Sequence, residues 1–115
     1  MDGNLQTELD FSLAHVGINC KDETEAQQTA QTLCALFGME YKPGGKSIFA
    51  GSAVECMKFP YLGQNGHIAI ATSNLEQAIS WLGRQGVEFI DSTRTPKAIY
   101  LKNEVGGFAI HLLQK

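Results

Sequence analysis

The chain contains three histidines, each set into an apolar run: Leu13-Ala14-His15-Val16-Gly17-Ile18, Gly66-His67-Ile68-Ala69-Ile70 and Phe108-Ala109-Ile110-His111-Leu112. Successive side chains of a strand point to opposite faces, so in each run the large aliphatic residues share one face and the histidine leaves by the other. Ala53-Val54-Glu55-Cys56 follows the same pattern with a carboxylate in the odd position. Neutral imidazole and carboxylate are joint ligands for Zn²⁺, Ni²⁺, Co²⁺, Mn²⁺ or Fe²⁺. His15, Glu55, His67 and His111 therefore form a candidate site for a divalent metal ion, with one or two coordination positions left for a substrate that offers two oxygens. Taken singly, each is more often a half-exposed strand residue than a ligand. The reading rests on all four sharing a face at repeat-related positions.

The elements that must position them come in two copies. His15-Val16-Gly17-Ile18 resembles His67-Ile68-Ala69-Ile70, and Met39-Glu40-Tyr41 resembles Val87-Glu88-Phe89. Lys46-Ser47-Ile48-Phe49 resembles Lys97-Ala98-Ile99-Tyr100, and Gly51-Ser52-Ala53-Val54-Glu55 resembles Gly107-Phe108-Ala109-Ile110-His111, in the same order. Self-similarity at a near-constant offset marks a duplicated unit. Each copy opens with a strand, near residues 13–20 and 66–71. A helix follows. Asp22-Glu23-Thr24-Glu25 is a capping box, Ala26, Ala30, Leu33 and Phe37 form an apolar stripe, and Gly38 is the stop. In the second copy Ser73-Asn74 is the cap, Leu75, Ala78, Ile79 and Leu82 the stripe, and Gly86 the stop. Three short strands then follow each helix, with turn signals at Pro43-Gly44-Gly45 and Val105-Gly106-Gly107. The expected fold is α+β: two βαβββ modules, at about 11–60 and 64–115, packed as one domain behind a polar tail at 1–10. A pseudo-two-fold axis between them would gather the four candidate ligands.

A length of 115 residues suits one domain with a true core. Apolar residues at 43% and charged residues at 18% exclude a disordered chain. A net charge of −3 gives no reason to expect nucleic acid or an anionic membrane as partner. No apolar run approaches the roughly 20 residues of a membrane helix. Cys20, Cys34 and Cys56 are odd in number and lack C-x-x-C spacing, so each is read as a small buried apolar residue, and a reducing, cytoplasmic setting is expected.

On the segments around His15, Glu55, His67 and His111, covering nearly all of 13–115, the chain resembles the vicinal oxygen chelate superfamily, which includes glyoxalase I, extradiol dioxygenases and bleomycin-resistance proteins. The resemblance implies a curved, cup-shaped mixed sheet with helices on its outer face and a metal in the cup, held at the positions of His15, Glu55, His67 and His111. The chain departs at His111, where the family usually carries Glu. In glyoxalase I that glutamate moves the substrate proton, so its absence tells against glyoxalase I activity. It also breaks the two-His, one-Glu triad of the extradiol dioxygenases unless Glu55 takes the carboxylate role. The stretches Lys97 to His111 and Pro60 to His67 are similar to glyoxalase-like domains appended to bacterial 2-keto-3-deoxy-6-phosphogluconate aldolases, which implies a sugar-acid or 2-oxo-acid setting. Family resemblance also implies a homodimer.

The expected function is a metal-dependent lyase or isomerase acting on a small, anionic 2-oxo or 2-hydroxy acid. Glu55 is the first candidate for a catalytic base and His111 the second. The alternative is a module that binds or sequesters a metabolite without chemistry, with Phe59, Tyr61 and Trp81 serving the pocket. For Trp81, adjacent to the apolar stripe of the second helix, a helix-packing or dimer-contact role is the preferred reading. Lys58, Arg94, Lys97 and Lys102 are candidate partners for an anionic substrate, each against the plainer reading of a solvated surface charge.

Overall fold

The computed structural model describes residues 2–115. The elements run α1 (Asp2–Leu9), β1 (Ser12–Asn19), α2 (Glu23–Phe37), β2 (Tyr41–Pro43), β3 (Ser47–Ala50), β4 (Val54–Met57), β5 (Gly66–Thr72), α3 (Leu75–Arg84), β6 (Phe89–Thr95), β7 (Ala98–Leu101) and β8 (Phe108–Gln114). From β1 onward this is βαβββ twice. The strands make one eight-stranded sheet of order β2-β3-β4-β1-β5-β8-β7-β6. The fold class is α+β, with a mixed, curled sheet.

Both helices start where the sequence expects. The Asp22 carboxylate accepts from the Glu25 N–H at 2.9 Å, and the Glu25 carboxylate reaches back to the Lys21 N–H at 2.8 Å. Asn74 caps α3 by accepting from the Gln77 N–H at 3.0 Å. Gly38 ends α2 at φ 70°, a conformation that costs glycine nothing and other residues strain.

The core lies between helices and sheet in two clusters, one per module. Under α2 it is built from small residues, Ala26, Ala30, Cys20, Cys56, Ala50 and Ile48. Under α3 it is built from larger ones, Leu75, Trp81, Ile99 and Leu112, with Ala78. Cys20 and Cys56 are buried free thiols, as read from the sequence, while Cys34 is half-buried. Burial pushes the Cys56 thiol up to about 11, so it stays protonated. Trp81 is a packing residue, its ring 6.4 Å from that of Phe11. Phe37 falls off the expected stripe: it is 69% exposed at the last residue of α2, where the helix has run past the sheet.

The N-terminal segment corrects the expectation of a polar tail at 1–10. Asp2–Leu9 is a helix, and Leu9 is fully buried in the cluster under α3. The Leu9 carbonyl accepts from the Thr72 hydroxyl at 2.6 Å and from the Ser73 N–H at 2.9 Å. Asp10, just beyond, pairs with Lys115 at 2.7 Å. Leu5 and Leu9 stand one helical turn apart in an otherwise polar octet, too short a stripe to read as a helix from the sequence; packing of both against the cluster under α3 holds the segment. No helix among the described residues is long and apolar enough to cross a membrane.

Leu9→Ala should therefore destabilise the domain by about 2–5 kcal/mol, as other buried leucine truncations do. Urea unfolding would measure it; a loss under half a kcal/mol would restore the tail reading.

Candidate metal centre

Two cross-strand rows build the site. At the centre of the sheet β1 runs antiparallel to β5, and β4 and β8 flank them in parallel. The first row reads Phe49, Glu55, Gly17, His67 across β3, β4, β1 and β5. The second reads Tyr100, His111, Ala69, His15 across β7, β8, β5 and β1. The rows are related by the duplication, and both project to the face opposite the helices.

Three of the four expected ligands converge. The His15 Nε2 lies 3.2 Å and the His67 Nε2 3.1 Å from the same Glu55 oxygen, Oε1, and the two nitrogens are 3.3 Å apart. The second Glu55 oxygen accepts from the Ser47 hydroxyl at 2.6 Å. Burial alone would push the Glu55 carboxyl up. Hydrogen bonds from His15, His67 and Ser47 outweigh it and hold the group well below the usual carboxylate range. With Glu55 ionised, no placement of one proton on each Nε2 satisfies all three edges of this triangle: two donors facing the oxygen also face each other. A cation resolves the conflict, because three lone pairs then converge on one charge. Imidazole, imidazole and carboxylate within 4.8 Å of one another are also the donor set of a first-row transition ion. The residues present thus fit a divalent metal held by His15, Glu55 and His67.

His111 lies beside this group and outside it. Its ring centroid is 5.9 Å from that of His67, and it stacks face to face on Tyr100 at 4.0 Å with an interplanar angle of 1°. The physical reason is a broken symmetry between the rows. Glu55 and His67 meet over Gly17, where even a Cβ would overlap the His67 ring. Their counterparts His111 and His15 flank Ala69, whose methyl occupies the equivalent space, and Tyr100 offers His111 a flat surface instead. Burial, with the nearby His67 and His15, lowers the His111 pKa to about 4, so its imidazole is neutral at pH 7. Burial and the neighbouring Tyr61 and Glu55 push the Tyr100 phenol up to about 12.

The group opens on a cavity of about 620 Å³, lined by residues including Lys46, Phe59, Tyr61, Tyr100 and His111. Lys46 precedes β3, while Ser92, Thr93 and Thr95 line the same cavity from β6, with five strands between the two in the sheet order. Only a curled sheet brings those ends together. Tyr61 is held over the cavity by Asn19, whose side chain donates to the Tyr61 carbonyl at 3.3 Å and to the Gly63 carbonyl at 3.0 Å and accepts from the Tyr61 N–H at 3.2 Å. Phe59 and Tyr61 thus take the pocket positions expected of them, and Trp81 does not.

The cations singled out in the sequence are engaged elsewhere or point elsewhere. Lys58 pairs with Glu23, Arg94 with Glu76 and Lys102 with Glu88. Lys97, like these three, is not among the residues that line the cavity. Lys46, passed over in the sequence, is. Gly17 and Ser47 were missed as well. Ser47 was legible from alternation with Phe49 on a strand facing Glu55, whereas the role of Gly17 depends on which residue lies across from it.

No protein-family description matches the sequence, and no curated protein does so at a significant level. Among solved structures, the chain is similar to a crystal structure of a hypothetical protein from Bacillus halodurans C-125, with a TM-score of 0.66 and 15% identity over 92% of this chain and 95% of that one. The likeness is one of fold.

Gly17→Ala should leave the fold intact but push the His67 ring off Glu55 and weaken binding of Co²⁺ or Zn²⁺ by at least about tenfold, the loss typical when ligand orientation is disturbed; titration calorimetry beside circular dichroism reads both. The neutral His111 also has a pH consequence. Its folded-state pKa of about 4 lies below the unfolded value of about 6.5, so the unfolded chain takes up the proton first. The contribution is full above pH ~6.5 and is lost as pH falls toward 4. His111→Gln should flatten the stability of the metal-free protein across that window, and an unchanged slope would show that His111 is not the group concerned.

Proposed function

We propose that this protein is a divalent-metal-dependent enzyme of the vicinal oxygen chelate type, acting on a small acid that presents two adjacent oxygens. The reading is carried by the convergence of the His15, His67 and Glu55 donor atoms beside a cavity large enough for a ligand. The paired βαβββ modules and the sheet order agree with it.

Within this reading His15, Glu55 and His67 hold the ion, and Ser47 orients Glu55. A bound divalent ion supplies Lewis-acid polarisation of substrate oxygens at a site with open positions. The side chains divide the remaining work. Glu55 is committed to three partners and ionised, which makes it a ligand rather than a free base. His111 lines the cavity and lies outside the ligand group, so by position it is the residue to accept a proton from a bound substrate; its lowered pKa leaves the imidazole unprotonated at pH 7 and makes it a weaker base than a free histidine. This reading favours His111 over Glu55, the first candidate from the sequence. Tyr100 holds the His111 ring by stacking and orients the imidazole edge. Phe59 and Tyr61 narrow the entrance and limit water.

Protein prepared without a polyhistidine tag should take up one Mn²⁺, Fe²⁺, Co²⁺, Ni²⁺ or Zn²⁺ per chain, and His67→Ala should lose it while remaining folded. Turnover is sought with 2-oxo acids, with the methylglyoxal–glutathione hemithioacetal and with catechols. His111→Gln should lower kcat by about 10²–10⁴-fold with little change in metal content, the range for loss of a general base. Tight binding of an acid that is never transformed would favour a sequestering module over an enzyme.

A further inference from the structure

Lys46 is the sole lysine or arginine lining the cavity, and it makes no ion pair among the described residues. Its position is set by structure rather than chance. Its carbonyl accepts from the Lys58 N–H at 3.1 Å, which extends the β3–β4 ladder by one step and fixes Lys46 immediately before Ser47, the residue that binds Glu55. The repeat-related Lys97 makes the equivalent ladder step, its carbonyl accepting from the Gln114 N–H at 2.8 Å, but it does not line the cavity.

The charge count of the lining then constrains the occupant. Among the described residues Glu55 is the only carboxylate there and Lys46 the only ammonium. With a divalent ion on His15, Glu55 and His67, the reading on which this inference rests, two positive charges remain uncompensated. A monoanion would leave one of them beside partly buried aromatic walls, where desolvation makes an unpaired charge costly. Size points the same way. About 620 Å³ is typical of a site for a ligand much larger than a three-carbon acid. Phe59, Tyr61 and Tyr100 line the same cavity and are suited to an apolar body.

We propose that the ligand of this cavity is a dianion, with its chelating oxygens at His15, Glu55 and His67 and a second anionic group, distant along the molecule, at Lys46. Lys46 is then a specificity-determining residue and takes no part in holding the ion.

Length-matched probes isolate the second charge: 2-oxopentanoate against 2-oxoglutarate, and 2-oxohexanoate against 2-oxoadipate. Each is titrated calorimetrically into the full chain loaded with Co²⁺ and into the metal-free chain, for wild type and Lys46→Gln. In the loaded wild type at least one diacid should bind on the order of fivefold to tenfold more tightly than its monoacid partner, as a charge-assisted contact predicts. Lys46→Gln should erase that preference while Co²⁺ affinity and monoacid binding hold. Equal binding of both members of each pair in wild type, or a preference that survives Lys46→Gln, overturns the proposal and leaves the metal reading standing. Failure to take up Co²⁺, or acid binding that ignores it, removes the metal reading and this proposal with it.

Discussion

The pairing of β1 with β5 is the constraint from which the site follows. These antiparallel strands are the centre of the sheet and the seam between the modules, and their register sets Gly17 across from His67 and His15 across from Ala69. A slip of either strand by one residue would send its imidazole to the helix side and its core aliphatics into the cup. The apolar residues on the other face make that slip costly: Ile18 packs under α2 and Ile70 under α3, so burial of the core and placement of the histidines are one choice. The parallel flanking strands then carry Glu55 to one side and His111 to the other.

Duplication supplies near-symmetry, and the site works by breaking it. Gly17 against Ala69, Ser47 against Ala98, Phe49 against Tyr100 and Glu55 against His111 are all differences between equivalent positions. The first module has a bare backbone over which Glu55 and His67 meet and a hydroxyl that orients the carboxylate. The second has a methyl at the corresponding place and an aromatic plane on which His111 rests. A symmetric chain would offer two equal half-sites; this one gathers three donor atoms and sets the fourth imidazole apart on Tyr100.

The surroundings reinforce that division. Asn19, on the same face of β1 two residues beyond Gly17, ties down the connection between modules and holds Tyr61 over the cavity. At the far side of the second module, α1 closes the core through Leu9, and Asp10 and Lys115 join the two ends of the described chain. Lys58, Arg94 and Lys102 pair with carboxylates away from the cavity, and Lys46 is the cation that lines it.

Alternation and helical periodicity are local properties, and what depends on them was legible in the residues themselves: two βαβββ units, the helix caps at Asp22 and Asn74, and the common face of His15, Glu55, His67 and His111. Each follows from the direction a side chain must take in a strand or helix, whatever its distant neighbours. What depended on cross-strand neighbours was not. Whether His111 joins the other three turns on the Ala69 methyl and the Tyr100 ring, which lie 42 and 11 residues away in the chain. The helix at Asp2–Leu9 turns on Leu5 and Leu9 packing against a core built largely by residues from 75 onward. The role of Lys46 turns on the curl that closes the sheet around the cavity. Residue type and spacing determine which way a group points; only the packed sheet decides what it meets there.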